Sequence, residues 1–198
     1  MLEINQLTKN YGDFSLGPVN LSVEAGCALG LVGANGAGKT TLFRSLMGTV
    51  RTDSGNFLLH NREAIVANGQ WKKHIGYVGD YSPFFDGWTG HKNLATFAKY
   101  YPNWSMQKAT EMARRLNLNL NKKVKEHSTG NRTKLAIVCA LSHNPDLIVL
   151  DEPTNGLDPV ARDVFMDLLH EQMEAGDSAL LYATHHISEI ENLADRVV

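Results

Sequence analysis

The sequence predicts an α/β fold: a mostly parallel core sheet flanked by helices, an antiparallel β part at the N-terminus, and an inserted helical lobe. Three observations carry this. The glycine-rich run Gly33-Ala34-Asn35-Gly36-Ala37-Gly38-Lys39-Thr40-Thr41 lies between an apolar run, Cys27–Val32, and a segment of helical periodicity. A second apolar run, Leu147–Leu150, ends in the pair Asp151-Glu152. Between and around them, strand-like and helix-like stretches alternate.

The glycine-rich run fits G-x-x-x-x-G-K-[ST], and strand, loop, helix is the context that this phosphate-cradling motif requires. Glycines at 33, 36 and 38 allow positive φ and a close backbone approach to oxygens, with N–H groups pointing inward. The helix opening near Gly38 adds its partial positive charge. Lys39 is placed to reach β- and γ-phosphates, and the Thr40 hydroxyl to ligate Mg²⁺. Asn35, Ala37 and Thr41 complete the nucleotide-binding set.

Along the chain, Leu2–Leu7 and Val19–Val23 alternate with period two and read as half-buried antiparallel strands. Phe57–His60 is a candidate third, and Ile75–Val78 a further short strand. Helix 41–47 places Leu42, Leu46 and Met47 on one face. From Trp88 to about His143 the pattern turns helical: Leu94, Phe97, Ala98 and Tyr101 in one segment, Met112 and Leu116 in the next, and Leu135, Val138, Cys139 and Ser142 in a third. Asn144-Pro145-Asp146 breaks it. Asp158 reads as an N-cap with Pro159 at N1. The helix that follows turns Val160, Val164, Leu168 and Leu169 inward and stops near Gly176. Ala179–Ala183 is another strand, and Asp195–Val198 the start of one more. The division expected is a single domain over 1–198, with the α/β core in 1–82 and 145–198 and a helical lobe in 83–144.

At 198 residues the chain is long enough to bury a full core. A net charge of −2 with interspersed signs argues against a nucleic-acid-binding face. The cluster Lys122-Lys123-Val124-Lys125 reads as a solvated turn. Cys27 and Cys139 both fall in apolar runs and read as buried free thiols of a reducing compartment. No apolar run approaches the ~20 residues that span a bilayer, and no signal-peptide pattern opens the chain, so a soluble, cytosolic protein is expected.

The second half of the site is the pair of carboxylates. A strand delivers both to the carboxyl edge of the sheet, where open α/β folds bind ligands. Asp151 is placed to hold Mg²⁺, directly or through water, and Glu152 to orient and deprotonate an attacking water. The run Asp151-Glu152-Pro153-Thr154-Asn155-Gly156-Leu157-Asp158-Pro159 resembles the Walker B and D-loop segment of ATP-binding cassette (ABC) ATPases, and the resemblance extends over essentially the whole chain.

The resemblance implies a P-loop ATPase of ABC type with a RecA-like core. It places Tyr11 where the family stacks an aromatic ring on adenine. It makes His185, rather than His186, the switch histidine that contacts the γ-phosphate. A metal pair formed by His185 and His186 is set aside because adjacent side chains are expected to diverge. His127-Ser128-Thr129-Gly130-Asn131 takes the place of the family signature LSGGQ, with only Ser128 and Gly130 matching. That segment clamps the nucleotide of the other subunit in a head-to-tail dimer, so Ser128 and Gly130 join the nucleotide-binding set. Asp80 stands where the family has a glutamine that senses Mg²⁺ and couples to a membrane partner. As an oxygen donor Asp80 is a candidate metal ligand, but it brings negative charge beside phosphates. Tyr100-Tyr101-Pro102-Asn103-Trp104 resembles a bacterial exporter-type branch.

The resemblance thus implies a MgATP-hydrolysing subunit. It would act as a homodimer, or as a heterodimer with another ABC ATPase subunit, on separate transmembrane permease subunits at the cytoplasmic face of the cell membrane. Two other readings stay open: a soluble ABC-type ATPase uncoupled from transport, and a degenerate cassette that binds ATP as a regulatory switch. No Asn-Lys-x-Asp motif for reading guanine is present.

Overall fold

A computed structural model of the chain describes residues 1–63, 69–191 and 193–198. The antiparallel strands β1 (Leu2–Asn10) and β2 (Ser15–Val23) open the chain. They are followed by β3 (Ala28–Val32), helix α1 (Lys39–Leu46), β4 (Ser54–Leu59) and β5 (Arg62–Glu63). A 3₁₀ turn, Gln70–His74, leads into β6 (Ile75–Val78). The helices α2 (Gly90–Phe97), α3 (Met106–Arg115) and α4 (Thr129–Leu141) come next. The chain then runs through β7 (Leu147–Asp151), α5 (Pro159–Glu174), β8 (Ala179–Thr184), α6 (Ile187–Glu191) and β9 (Arg196–Val197).

Two sheets result. One is antiparallel, in the order β2-β1-β4-β5; the other is parallel, in the order β6-β7-β8-β3-β9. The parallel sheet is buried on both faces, which is why its strands read as continuous apolar runs instead of alternating. Leu147, Val149, Leu181 and Ala183 face the cluster shared with the antiparallel sheet and α1. Ile148, Leu150, Leu180 and Tyr182 face the cluster built with α2 to α5. Burying a leucine-sized side chain contributes roughly 1.5–3 kcal/mol, so these two layers supply most of the driving force.

The N-caps are chemically explicit. Thr89, Ser105, Ser128 and Asp158 each accept a hydrogen bond from the N–H three residues on, satisfying a donor the helix leaves free. Pro159 stands at the first helical position, as its fixed φ favours.

Several expectations shift in detail. The period of β1 breaks: Leu2, Ile4 and Leu7 are the buried residues, because a register irregularity with Gln6 at φ 49° resets the alternation. His60 stands beyond β4 in left-handed backbone, at φ 53°. On α1 the fully buried aromatic is Phe43, while Met47 is only half-buried against the core. Helix α2 stops at Phe97, so Tyr101 lies outside it and stacks on His143 at 4.0 Å between ring centres. On α5 the buried stripe is Ala161, Phe165, Leu168 and Leu169, at spacings of four, three and one. Val160 lies ~100° round the helix from Ala161 and is 73% exposed. Cys139 is buried and Cys27, just before β3, is half-buried; both are free. Among the described residues no helix is long and apolar enough to cross a membrane.

Candidate functional site

The glycine-rich loop leaves the carboxyl end of β3 and closes on the first turn of α1. Gly36 and Gly38 take positive φ, 86° and 103°, as a backbone curling its N–H groups around an anion requires. Gly33 does not; a Cβ there would lie 3.3 Å from that of Ala37, so its small size serves close packing instead. Gly38 is fixed for two reasons, since a Cβ would also stand 2.8 Å from the Leu16 side chain and 3.0 Å from the Phe14 ring. Lys39 arches back over the loop, its Nζ donating to the carbonyls of Gly33 at 2.5 Å and Ala34 at 3.2 Å. The loop, with Asn35 and Ala37 to Thr41, lines one cleft of about 550 Å³, and Phe14, Asp151 and Glu152 form the rest of its wall.

Strand β7 delivers the two carboxylates to that wall. Asp151 is 7% exposed, and burial raises its carboxyl above the ordinary range while a hydrogen bond from the Thr40 hydroxyl opposes the rise. Glu152 leaves the strand in left-handed backbone, φ 50°, unusual for a residue with a side chain. Its N–H still donates to Ala183 O at 2.9 Å, so the chain turns without losing the link to β8. The turn aims its carboxylate at the end of β8, where Oε2 stands 2.8 Å from His185 Nδ1. Strain of this kind, of order 1–3 kcal/mol, persists where the surroundings fix it and concentrates at functional sites.

His185 and His186 do not diverge as expected: their rings lie 4.0 Å apart, tilted by 39°, because the backbone turns between β8 and α6. No group of three or more metal-binding side chains occurs among the described residues.

Asp80, at the carboxyl end of β6, is held by the guanidinium of Arg44 on α1. It lines a second cleft, of about 410 Å³, together with Thr40, Asp151 and Glu152, and its charge adds to the upward pressure on Asp151. Thr40, Asp151 and Asp80 thus border one cleft and offer only oxygen. That donor set fits Mg²⁺, which takes one or two carboxylates beside substrate phosphates.

The remaining candidates stand apart from the loop. Ser128 caps α4 through its hydroxyl, 3.3 Å from Asn131 N, and Gly130 packs so closely that a Cβ would run into the Gly156 carbonyl. Neither lines either cleft within the chain, although Thr129 reaches the one bordered by Asp80. Tyr11 is 52% exposed, with the Lys9 ammonium 5.5 Å from its ring centre, and it does not line the loop cleft. Phe14 does; it sits in the β1–β2 hairpin, where nothing in the sequence distinguishes it. Arg44 is likewise a cation on an exposed helix face that no local pattern singles out.

A family model described as "ABC transporter" matches residues 16–155. The chain is 35% identical, over its whole length, to the uncharacterized ABC transporter ATP-binding protein YdbJ of Bacillus subtilis, of which it covers 65%. It is 33% identical to the ABC transporter ATP-binding protein YtrB of the same organism, covering 68% of that protein. The chain thus spans about two thirds of the length of these relatives. Among solved structures, an ATP-binding subunit of an ABC transporter superposes with a TM-score of 0.87 at 26% identity, covering 98% of this chain and 83% of the other.

Proposed function

The chain belongs to the ABC transporter family, and on that premise we propose that it is an ATP-hydrolysing subunit driving separate transmembrane permease subunits. The observation that carries the reading is the meeting of three parts at one cleft: the phosphate loop with Lys39, the Thr40–Asp151 pair, and Glu152 bound to His185. Loop N–H groups and the Lys39 ammonium hold the β- and γ-phosphates. Thr40 and Asp151, with Asp80 at the edge, hold Mg²⁺. When bound, that ion neutralises phosphate charge. Glu152 accepts the proton of the attacking water, and His185, when both its ring nitrogens carry protons, would donate through Nδ1 to Glu152 and through Nε2 to the γ-phosphate. Tyr11 and Phe14 are the aromatic rings available to the base.

Ser128 and Gly130 act, in this reading, on the nucleotide of a second subunit in a head-to-tail homodimer or heterodimer. Their position outside both clefts of their own chain supports it. The division into a core over 1–82 and 145–198 and a helical part over 83–144 belongs to the same proposal, as does a place at the cytoplasmic face of the membrane. Lys39→Ala tests it. Removing a charged contact to phosphate costs about 1.5–3 kcal/mol, so MgATP affinity should fall roughly 10- to 150-fold. Equal affinity of the variant and the wild type in an equilibrium titration would overturn the assignment.

A further inference from the structure

His185 stands on the turn between β8 and α6, over a buried polar network that the proposed mechanism leaves unused. Tyr182, three residues earlier on β8, is 1% exposed, and its hydroxyl donates to Glu189 Oε2 at 2.6 Å. Glu189, four residues after His185 on α6, is 6% exposed. Its other oxygen faces Arg162 Nε of α5 at 3.6 Å and has no hydrogen-bond partner among the described residues. The buried Thr154, two residues after Glu152, is close enough to bear on the Tyr182 hydroxyl but makes no hydrogen bond among the described residues. One phenol therefore ties the strand that leads to His185 to the helix that follows it.

The network is not needed merely to hold α6 down. Ile190, 1% exposed, already packs on β3, so tightly that a Cβ at Gly30 would stand 2.5 Å from its Cγ2. Burying a carboxylate is unfavourable unless it is paired, and an apolar pair would seat the helix at least as well. What the hydrogen bond adds is direction. It sets how far α6 turns against β8, while Thr184 Oγ1 accepts from His186 N at 3.0 Å and Glu189 N donates to His186 O at 3.1 Å. The turn between them, which carries His185, is fixed from both ends.

We propose that Tyr182 and Glu189 are positioning residues for hydrolysis, holding the 184–186 turn so that His185 Nδ1 meets Glu152. The proposal rests on the roles given to Glu152 and His185 above. The test reads the imidazole directly, by long-range ¹H–¹⁵N correlation on the full chain, with His185→Ala identifying the His185 signals. In Tyr182→Phe, the His185 Nδ1 signal should leave its hydrogen-bonded position. The kcat for ATP should drop about 10-fold, the scale of one charge-assisted hydrogen bond, with KM within two-fold. Glu189→Gln, which keeps an oxygen acceptor for the phenol, should retain the wild-type signal and most of kcat; Glu189→Ala should lose both. Unchanged His185 signals in Tyr182→Phe would overturn the proposal. So would equal losses in Glu189→Gln and Glu189→Ala. Should Tyr182→Phe not fold, Glu189→Ala carries the same expectation and the same refutation. Wild-type hydrolysis by His185→Ala would instead remove the role on which the proposal rests, while the imidazole signals of the other variants still decide the positioning.

Discussion

His185 Nδ1 lies 2.8 Å from Glu152 Oε2, joining the ends of two neighbouring parallel strands through their side chains. Removing the charge of Glu152 while keeping its shape isolates its chemical role. Glu152→Gln should bind MgATP as wild type does and hydrolyse it ~10²- to 10⁴-fold more slowly, the range a general base contributes. Single-turnover hydrolysis measured beside nucleotide titration checks both halves. Multiple turnovers at the wild-type rate would exclude Glu152 as the base.

Gly130 and Ser128 are separable by their contacts. A Cβ at Gly130 meets a backbone carbonyl, which cannot rotate aside, so Gly130→Ala should destabilise the protein by about 1–3 kcal/mol. At this chain length that is a fall in Tm of roughly 2–4 °C per kcal/mol. Ser128→Arg should instead cost only about 1 kcal/mol for the lost cap and spare ATP binding by the monomer, yet impair hydrolysis. Mixing it with Lys39→Ala should restore part of the activity, because the proposed head-to-tail dimer would then keep one composite site intact. No rescue in a mixture shown to contain heterodimers would count against a shared site.

Asp80 is tied to Arg44 at a half-exposed position, where such a pair is worth about 0.2–1 kcal/mol. That is weak enough for Asp80 to exchange partners. Asp80→Ala should therefore change thermal stability little and nucleotide affinity less than a few-fold, since the proposed site puts binding on Lys39, Thr40 and the loop amides. A hundred-fold loss of MgATP affinity would make Asp80 a principal metal ligand instead.

Acid stability should depend on His143. The ring is 2% exposed and stacked on Tyr101, and burial, aided by the charge of Lys108, pushes it down to about 4. Its folded pKa lies below the ordinary imidazole value near 6.5, so the unfolded chain binds the proton more tightly. The resulting stability is complete above about 6.5 and drains away as pH falls towards 4, by ~3 kcal/mol over that interval. His143→Phe, which keeps the stacked ring, should flatten the pH dependence of the urea midpoint between 7 and 4. An unchanged slope would assign the acid lability elsewhere.

Much of this protein is local in the sequence. The phosphate loop, the strand before it and the helix after it are fixed by glycine, lysine and threonine at set spacings, because an anion-binding turn permits few alternatives. The apolar runs Leu147–Leu150 and Ala179–Ala183 read as strands, and they are unbroken because both faces of the parallel sheet are covered. Asp158 and Pro159 likewise marked the start of α5 unaided. Tertiary structure decided what depends on partners far along the chain. Val160 looked inward by residue type, but the position of the core turned it to solvent. Asp80 met Arg44, and Phe14 met Gly38, across separations that no local pattern records. Gly130 read as half of a signature, yet its close contact with Gly156 gives it a structural reason to be glycine. The link from Tyr182 to Glu189 was invisible for the same reason, since a buried phenol and a carboxylate gain meaning only when β8 and α6 bring them within 2.6 Å.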